Sequence, residues 1–208
     1  MKYVNLVVIF SLLTFFACTS SDSDYQVSDI PGGYMPGDTA RDFQLKNVNG
    51  KMVSLANYEN AKGYIVIFTC NTCPYAAMYE ERIIELHKKF ADKGYPVIAI
   101  NPNDESEEPG DSYDEMIVQA KEKGYRFPYV QDKTQEITKA YGATNTPHVY
   151  VLNKDRKVVY IGSIDNNARD AESADKFYVE DAIKALENNK TPEISKTKAI
   201  GCTIKWAS

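Results

Sequence analysis

An apolar run, Tyr64-Ile-Val-Ile-Phe68, leads through Thr69 into Cys70-Asn-Thr-Cys73, and Pro74 follows at once. A short continuous apolar run of this kind reads as a strand buried on both faces. Proline is suited to the first position of a helix, where its fixed φ fits and no N–H is needed. Two thiols therefore stand where a central strand hands over to a helix N-terminus. The unpaired N–H groups and positive dipole end at such a place favour a thiolate, and the thiolate is the nucleophile of disulfide exchange. Few folds present a pair of cysteines in this way, and the chemistry the pair suggests is disulfide reduction, disulfide oxidation or peroxide reduction.

The residues around this turn read as alternating elements. An N-terminal β-hairpin is expected over 37–54, turning at Asn49-Gly50, a strong hairpin signal. A short helical turn follows over 55–60. After the cysteines, Tyr75, Tyr79, Ile83, Leu86 and Phe90 mark one face of a long helix to about Ala91, with Gly94 placed to end it. Val97-Ile-Ala-Ile100 is a second buried strand. A strand–helix–strand unit of this length implies parallel strands and a right-handed crossover. The acidic loop 101–112 reads as solvated, with Asp111 or Ser112 capping the next helix. A short extended piece over 127–130 and a helix over 133–141, closed by Gly142, come next. A hairpin over 144–161 is entered through Thr146-Pro147, and a last helix spans 174–188. The 191–208 tail carries Cys202 and Trp206, the single tryptophan.

The first 17 residues carry one positive charge at Lys2 and an apolar stretch from Val4 to Phe16. That stretch is short for a membrane span and reads as a secretory signal. It ends Phe-Phe-Ala17-Cys18, similar to a bacterial lipobox, with Phe15 where leucine is more usual. Cys18 is the expected lipidation site, and 18–35 a lipidated cysteine and flexible tether of small polar residues. Thr19, rather than aspartate, follows the cysteine, which favours the outer over the inner membrane. The expected location is the cell envelope, anchored by lipid and facing the periplasm, where disulfides persist and a dithiol needs a dedicated donor. The net charge of −5, with no Lys/Arg cluster, excludes a nucleic-acid partner. Four cysteines, unevenly spaced, do not make a disulfide scaffold.

Taken together, the order of elements, the C-x-x-C after the central strand and Thr-Pro before a hairpin resemble the thioredoxin fold. That is an α/β fold with a mixed central sheet, an N-terminal β-hairpin and flanking helices. The hairpin and the Gly37-Asp-Thr-Ala-Arg-Asp-Phe43 run resemble the redoxin, or AhpC/TSA-like, branch, among them exported proteins carrying Phe-Thr-Cys-x-x-Cys-Pro-Tyr-Ala, here Phe68 to Ala76. The redoxin domain is expected over 36–190, with the tail packed on or near it. The resemblance implies a cis Thr146–Pro147 bond facing the cysteines, Cys70 as the exposed attacking thiol, Cys73 as the resolving thiol, and Thr146 and Pro147 as the edge where an extended client chain pairs. No cofactor and no metal are expected, since zinc would need two further ligands beyond the pair. The expected partners are protein thiols and disulfides and an electron-donor protein.

Two alternatives stand beside disulfide exchange. Cys73-Pro74 also resembles the peroxidatic Cys-Pro of peroxiredoxins, with Cys70 or Cys202 resolving and peroxide as substrate. Cys70, however, stands where those proteins carry threonine. The other alternative is a tethered peptide-binding module that does no chemistry. Cys202 is read chiefly as a small buried hydrophobe and secondarily as a resolving thiol. His148 is read as a solvent-facing strand residue, and His87, Glu80 and Glu81 as surface.

Overall fold

The computed structural model describes Met1 and residues 32–208. The signal, Cys18 and most of the tether lie outside the described residues. The elements run β1 (Leu45–Asn47), β2 (Met52–Val53), β3 (Gly63–Phe68), α1 (Pro74–Phe90), β4 (Val97–Asn101), α2 (Tyr113–Glu122), β5 (Tyr129–Gln131), α3 (Glu136–Tyr141), β6 (Asn145–Thr146), β7 (His148–Asn153), β8 (Val158–Gly162), α4 (Tyr178–Glu187) and β9 (Cys202–Thr203). Seven strands form one mixed sheet in the order β2-β1-β5-β4-β3-β7-β8. β3 pairs parallel with β4, and β4 parallel with β5. β7 runs antiparallel to both β3 and β8.

β3 lies at the centre because it can bury both faces. Ile65 and Ile67 point into one core with Tyr79, Ile83, Leu86, Val179 and Ile183 of α1 and α4. Tyr64, Val66 and Phe68 point into the other, with Tyr141, Tyr150 and Leu152. This is the two-residue alternation of a strand, and every β3 residue is buried. Phe68, Tyr141 and Tyr150 meet edge-on with centroids 5.2–5.7 Å apart, the geometry aromatic rings prefer.

α1 starts where the sequence places it. Cys73 is extended (φ −73°, ψ 122°) and acts as N-cap, with Pro74 as the first helical residue. The chain tightens over Ala91–Lys93 and stops at Gly94, whose φ of 94° suits glycine.

Three boundaries differ from expectation. The first strand begins at Leu45 rather than Gly37, because the Asp42 carboxylate accepts from Leu55 N (2.7 Å) and Ala56 N (3.0 Å) and ties the preceding segment into a loop. α3 begins at Glu136 because Gln135 has a positive φ of 58°. α4 begins at Tyr178, since Asn166, Asn167 and Asp170 take up the backbone N–H groups of Arg169, Asp170, Glu172, Ser173, Asp175 and Lys176 in turns, a competition that short polar side chains win over helix.

Glu80 is not at the surface. It is 6% exposed and is held by Gln119 (2.6 Å), Tyr125 (2.9 Å) and Lys123 (2.6 Å). Glu81, its neighbour, does face solvent. His87 is half-buried, edge-on to Phe127 at 5.6 Å.

Candidate active site

The parallel pairing of β3 with β4 sets the C-terminal ends of both strands side by side. Thr69 N donates to Ile100 O (2.8 Å), and the chain then leaves the sheet at Cys70. The loop after β4 therefore falls against the cysteine turn and supplies Asp111. This carboxylate is fully buried. Its Oδ1 accepts from Asn71 N (2.7 Å) and Thr72 N (3.1 Å), and its Oδ2 from Thr72 Oγ1 (3.0 Å) and Asn103 Nδ2 (2.6 Å). Asn71 is fixed further by Tyr129 OH, which donates to Asn71 Oδ1 (2.8 Å). The two residues between the cysteines are thus gripped from outside, which sets the spacing of the sulfurs. The acidic loop was expected to be solvated. One of its carboxylates is instead a structural part of this site, because strand adjacency brings it there.

Opposite the turn stands Thr146–Pro147, a cis peptide. Cys70 Sγ is 3.2 Å from Thr146 Oγ1, and Cys73 Sγ is 3.1 Å from Thr146 O. Cys70, Cys73, Thr146 and Pro147 are brought together as expected. The expectation of an exposed Cys70 is not met: it is 7% exposed and Cys73 3%. The reason is the tail. β9 lies antiparallel on β6, Cys202 opposite Thr146 and Thr203 opposite Asn145, and it roofs the pair. Cys202 itself is half-buried rather than enclosed, and its Sγ is 2.6 Å from that of Cys73.

The two sulfurs differ electrostatically. The Cys70 thiol donates to Cys73, and the N–H groups of Ala76 and Cys202 point at Cys73 as well; together they hold the Cys73 pKa down to about 4 despite its burial. Cys70 is pushed strongly up, chiefly because it is the donor in that bond, then by burial and by the Asp111 carboxylate. Burial and the neighbouring Cys73 charge push Cys202 up to about 11. Of the three sulfurs, Cys73 is therefore the one whose thiolate form the surroundings favour, through the Cys70 thiol above all.

His148 does not face solvent. β7 lies inside the sheet, so both its faces are covered, and His148 is 8% exposed. Its Nδ1 accepts from Thr144 N (3.3 Å), and burial holds its pKa down to about 4. The ring is expected to stay neutral from pH 8 to pH 5, with no shift of its proton resonances in an NMR titration. Because its folded pKa is depressed from 6.5, the stability it contributes is complete above pH 6.5 and is lost as the pH falls towards 4.

With this geometry in place, the relatives can be compared. A family model for the AhpC/TSA family matches residues 36–161. The chain belongs to the AhpC/TSA family. A thiol-disulfide oxidoreductase, ResA, of Bacillus thuringiensis subsp. konkukian is 28% identical over 123 residues, 59% of this chain and 66% of that protein. The chain thus spans slightly under two thirds of that relative. An uncharacterized conserved protein from Geobacillus kaustophilus has a crystal structure that superposes with a TM-score of 0.78 at 34% identity, covering 84% of this chain and 93% of that one. The thioredoxin domain of a thiol-disulfide oxidoreductase from Bacteroides vulgatus superposes at 0.53 with 17% identity, over 62% of this chain and 89% of that one, and shows the shared thioredoxin-like fold.

Proposed function

We propose that this AhpC/TSA-family protein is a thiol–disulfide oxidoreductase that acts on protein disulfides outside the cytoplasm through Cys70 and Cys73, with Thr146–Pro147 as the docking edge. The observation that carries this reading is the convergence of both sulfurs on Thr146, Cys70 on its hydroxyl and Cys73 on its carbonyl. The likeness to a thiol-disulfide oxidoreductase named ResA supports it. The apolar leader ending at Cys18 supports export and a lipid anchor. Among the described residues no helix is long and apolar enough to cross a membrane.

In this reading Cys73 attacks first, where the resemblance implies Cys70. Cys73 attacks a client sulfur, the Cys73–client disulfide forms, and the departing client sulfur takes a proton. Cys70 then gives up its proton and attacks Cys73 Sγ, and the second client sulfur leaves as a thiol. The client gains two electrons and two protons, and the protein is left with a Cys70–Cys73 disulfide. An electron-donor protein carrying a dithiol returns it to the reduced state.

One observation favours peroxide as an alternative oxidant. Cys73 is almost closed to solvent and its pKa is lowered, first by the Cys70 thiol, which suits a small substrate. The reduced chain, mixed in separate reactions with a disulfide-bridged peptide and with stoichiometric hydrogen peroxide, decides between them. Thiol loss should be fast with the peptide and no faster with peroxide than for a free model thiol. Fast loss with peroxide, beginning at Cys73, would overturn the reading in favour of a thiol peroxidase. An unimpaired Cys70→Ser/Cys73→Ser double variant in binding a client peptide, with no exchange in either reaction, would instead support a binding module.

A further inference from the structure

The tail does more than cover the cysteine pair. It is fastened on both sides of β9. Upstream, Thr197 N donates to Ile161 O (2.9 Å) and Ser163 Oγ to Lys198 O (2.7 Å). Downstream, Ile204 is buried in the core, Lys205 N donates to Asn103 Oδ1 (2.9 Å), and Gln135 takes both Lys205 O (2.8 Å) and Ala207 N (2.9 Å). Between these fastenings Gly201 passes so close to Thr146 that a Cβ there would overlap the Thr146 carbonyl. The stretch is therefore built to lie against the edge that precedes Pro147. In the reading above that edge is where an extended client chain pairs, with its cysteine facing Cys73. The tail meets the same description: it is antiparallel to β6, Cys202 is opposite Thr146, its sulfur is 2.6 Å from Cys73 Sγ, and its N–H is 3.4 Å from that sulfur.

We propose that residues 201–204 are a built-in stand-in for the client strand, and that Cys73 exchanges its disulfide between Cys70 and Cys202, the Cys73–Cys202 form being locked against clients. The inference rests on the reading of Cys70 and Cys73 as the exchanging pair. Turnover leaves the Cys70–Cys73 disulfide. Cys202 gives up its proton and attacks Cys73 Sγ. The Cys73–Cys202 bond forms as the Cys70–Cys73 bond breaks, and the departing Cys70 sulfur takes a proton. No electrons are gained or lost. Burial and Asp111 make Cys70 a good resting place for that proton. In the locked form β9 is bonded over the docking edge, and Cys73 has no free sulfur to offer. A dithiol donor reopens it. One donor sulfur attacks Cys202, the more exposed sulfur, and Cys73 leaves as a thiolate. The second donor sulfur then displaces Cys202, leaving three protein thiols and a donor disulfide.

The test equilibrates the full chain in a glutathione redox buffer, quenches with acid, alkylates free thiols and maps linked peptides without reduction. Both Cys70–Cys73 and Cys73–Cys202 peptides are expected, the latter in at least about a fifth of oxidised molecules, a ratio set by the exchange equilibrium. Gly201→Ala keeps all three thiols but pushes the tail off Thr146. It should lower the locked fraction about fivefold or more and speed exchange with a disulfide-bridged peptide by a similar factor. Cys202→Ser should abolish the locked form and speed exchange as well. Cys202 found alkylated in every oxidised molecule would overturn the lock while leaving the Cys70–Cys73 reading intact. Exchange rates unchanged in both variants would overturn the stand-in for the client. No exchange by the reduced wild-type chain would overturn the function reading and this inference together.

Discussion

Replacing Cys73 by serine is expected to stop exchange with a disulfide-bridged peptide, a fall of more than about 100-fold set by loss of the sulfur whose thiolate form the site favours. Replacing Cys70 and Cys202 together by serine is expected to let the first step proceed and then halt, with the peptide trapped on Cys73, since either thiol could otherwise displace it. Cys73 caps α1, a helix of 17 residues, and collects the Cys70 thiol and the N–H groups of Ala76 and Cys202. A fall from the ordinary 9.0 to about 4 raises the thiolate fraction at pH 7 on the order of 100-fold. The same fall lowers the intrinsic nucleophilicity of that thiolate on the order of 100-fold. The two nearly cancel for attack, and the low pKa makes Cys73 a good leaving group, so the exchange written above also runs in the opposite sense, the Cys70–Cys73 disulfide taking two electrons from a client dithiol. Denaturation profiles and peptide exchange rates of the two serine variants, with mass spectrometry of trapped species, check the assignment. Trapping on Cys70 in the Cys73→Ser protein would restore the opposite roles.

The largest effect on stability is expected at Asp111. Asp111→Ala should cost about 2–4 kcal/mol, since a buried donor left without its acceptor costs roughly 1–3 kcal/mol. Four donors converge on the carboxylate: Asn71 N, Thr72 N, Thr72 Oγ1 and Asn103 Nδ2. In the alanine variant all four lose this acceptor; Asn103 Nδ2 lies in a buried contact, whereas Thr72 is exposed and can turn to water. At roughly 2–4 °C per kcal/mol for a domain of this size, the melting temperature should drop by about 10 °C. Asp111→Asn should lose less, since one carbonyl oxygen still accepts. Urea unfolding of the reduced proteins measures the difference. A loss below about 1 kcal/mol for Asp111→Ala would mean that the cysteine turn does not depend on this grip.

How far the sequence could be read depends on the distance over which its signals act. Local signals served well: the apolar run of β3, Pro74 at the first turn of α1, Asn49-Gly50 in the hairpin and Gly94 at the helix end all mark elements that the structure contains. With the C-x-x-C and Thr-Pro pattern they were enough for the thioredoxin-like fold and for the meeting of Cys70 and Cys73 with Thr146 and Pro147. What the sequence did not disclose is burial set by neighbours distant in the chain. Asp111, Glu80 and His148 all read as surface groups because polar residues usually are. Asp111 is buried because β3 and β4 are adjacent and parallel, so that their following loops touch. That much was available from the strand–helix–strand pattern, although the identity of the contacting carboxylate was not. Cys202 lies 129 positions from Cys73, and no periodicity in the tail marks the two residues of β9 as a strand.

Cys73, rather than Cys70, is proposed to carry the thiolate of the reduced pair. Alkylation of the reduced full chain by iodoacetamide, followed at each cysteine by mass spectrometry from pH 3 to pH 9, tests it directly. The account predicts that Cys73 reacts with a midpoint near pH 4, as its depressed pKa requires, while Cys70 stays unmodified throughout. It also predicts that the reduced protein gains stability on the oxidised one as the pH rises from about 4 to 9. Over that range the unfolded thiol still binds a proton that the folded site has lost. Alkylation of Cys70 before Cys73, or a Cys73 midpoint near that of a free thiol, would contradict it.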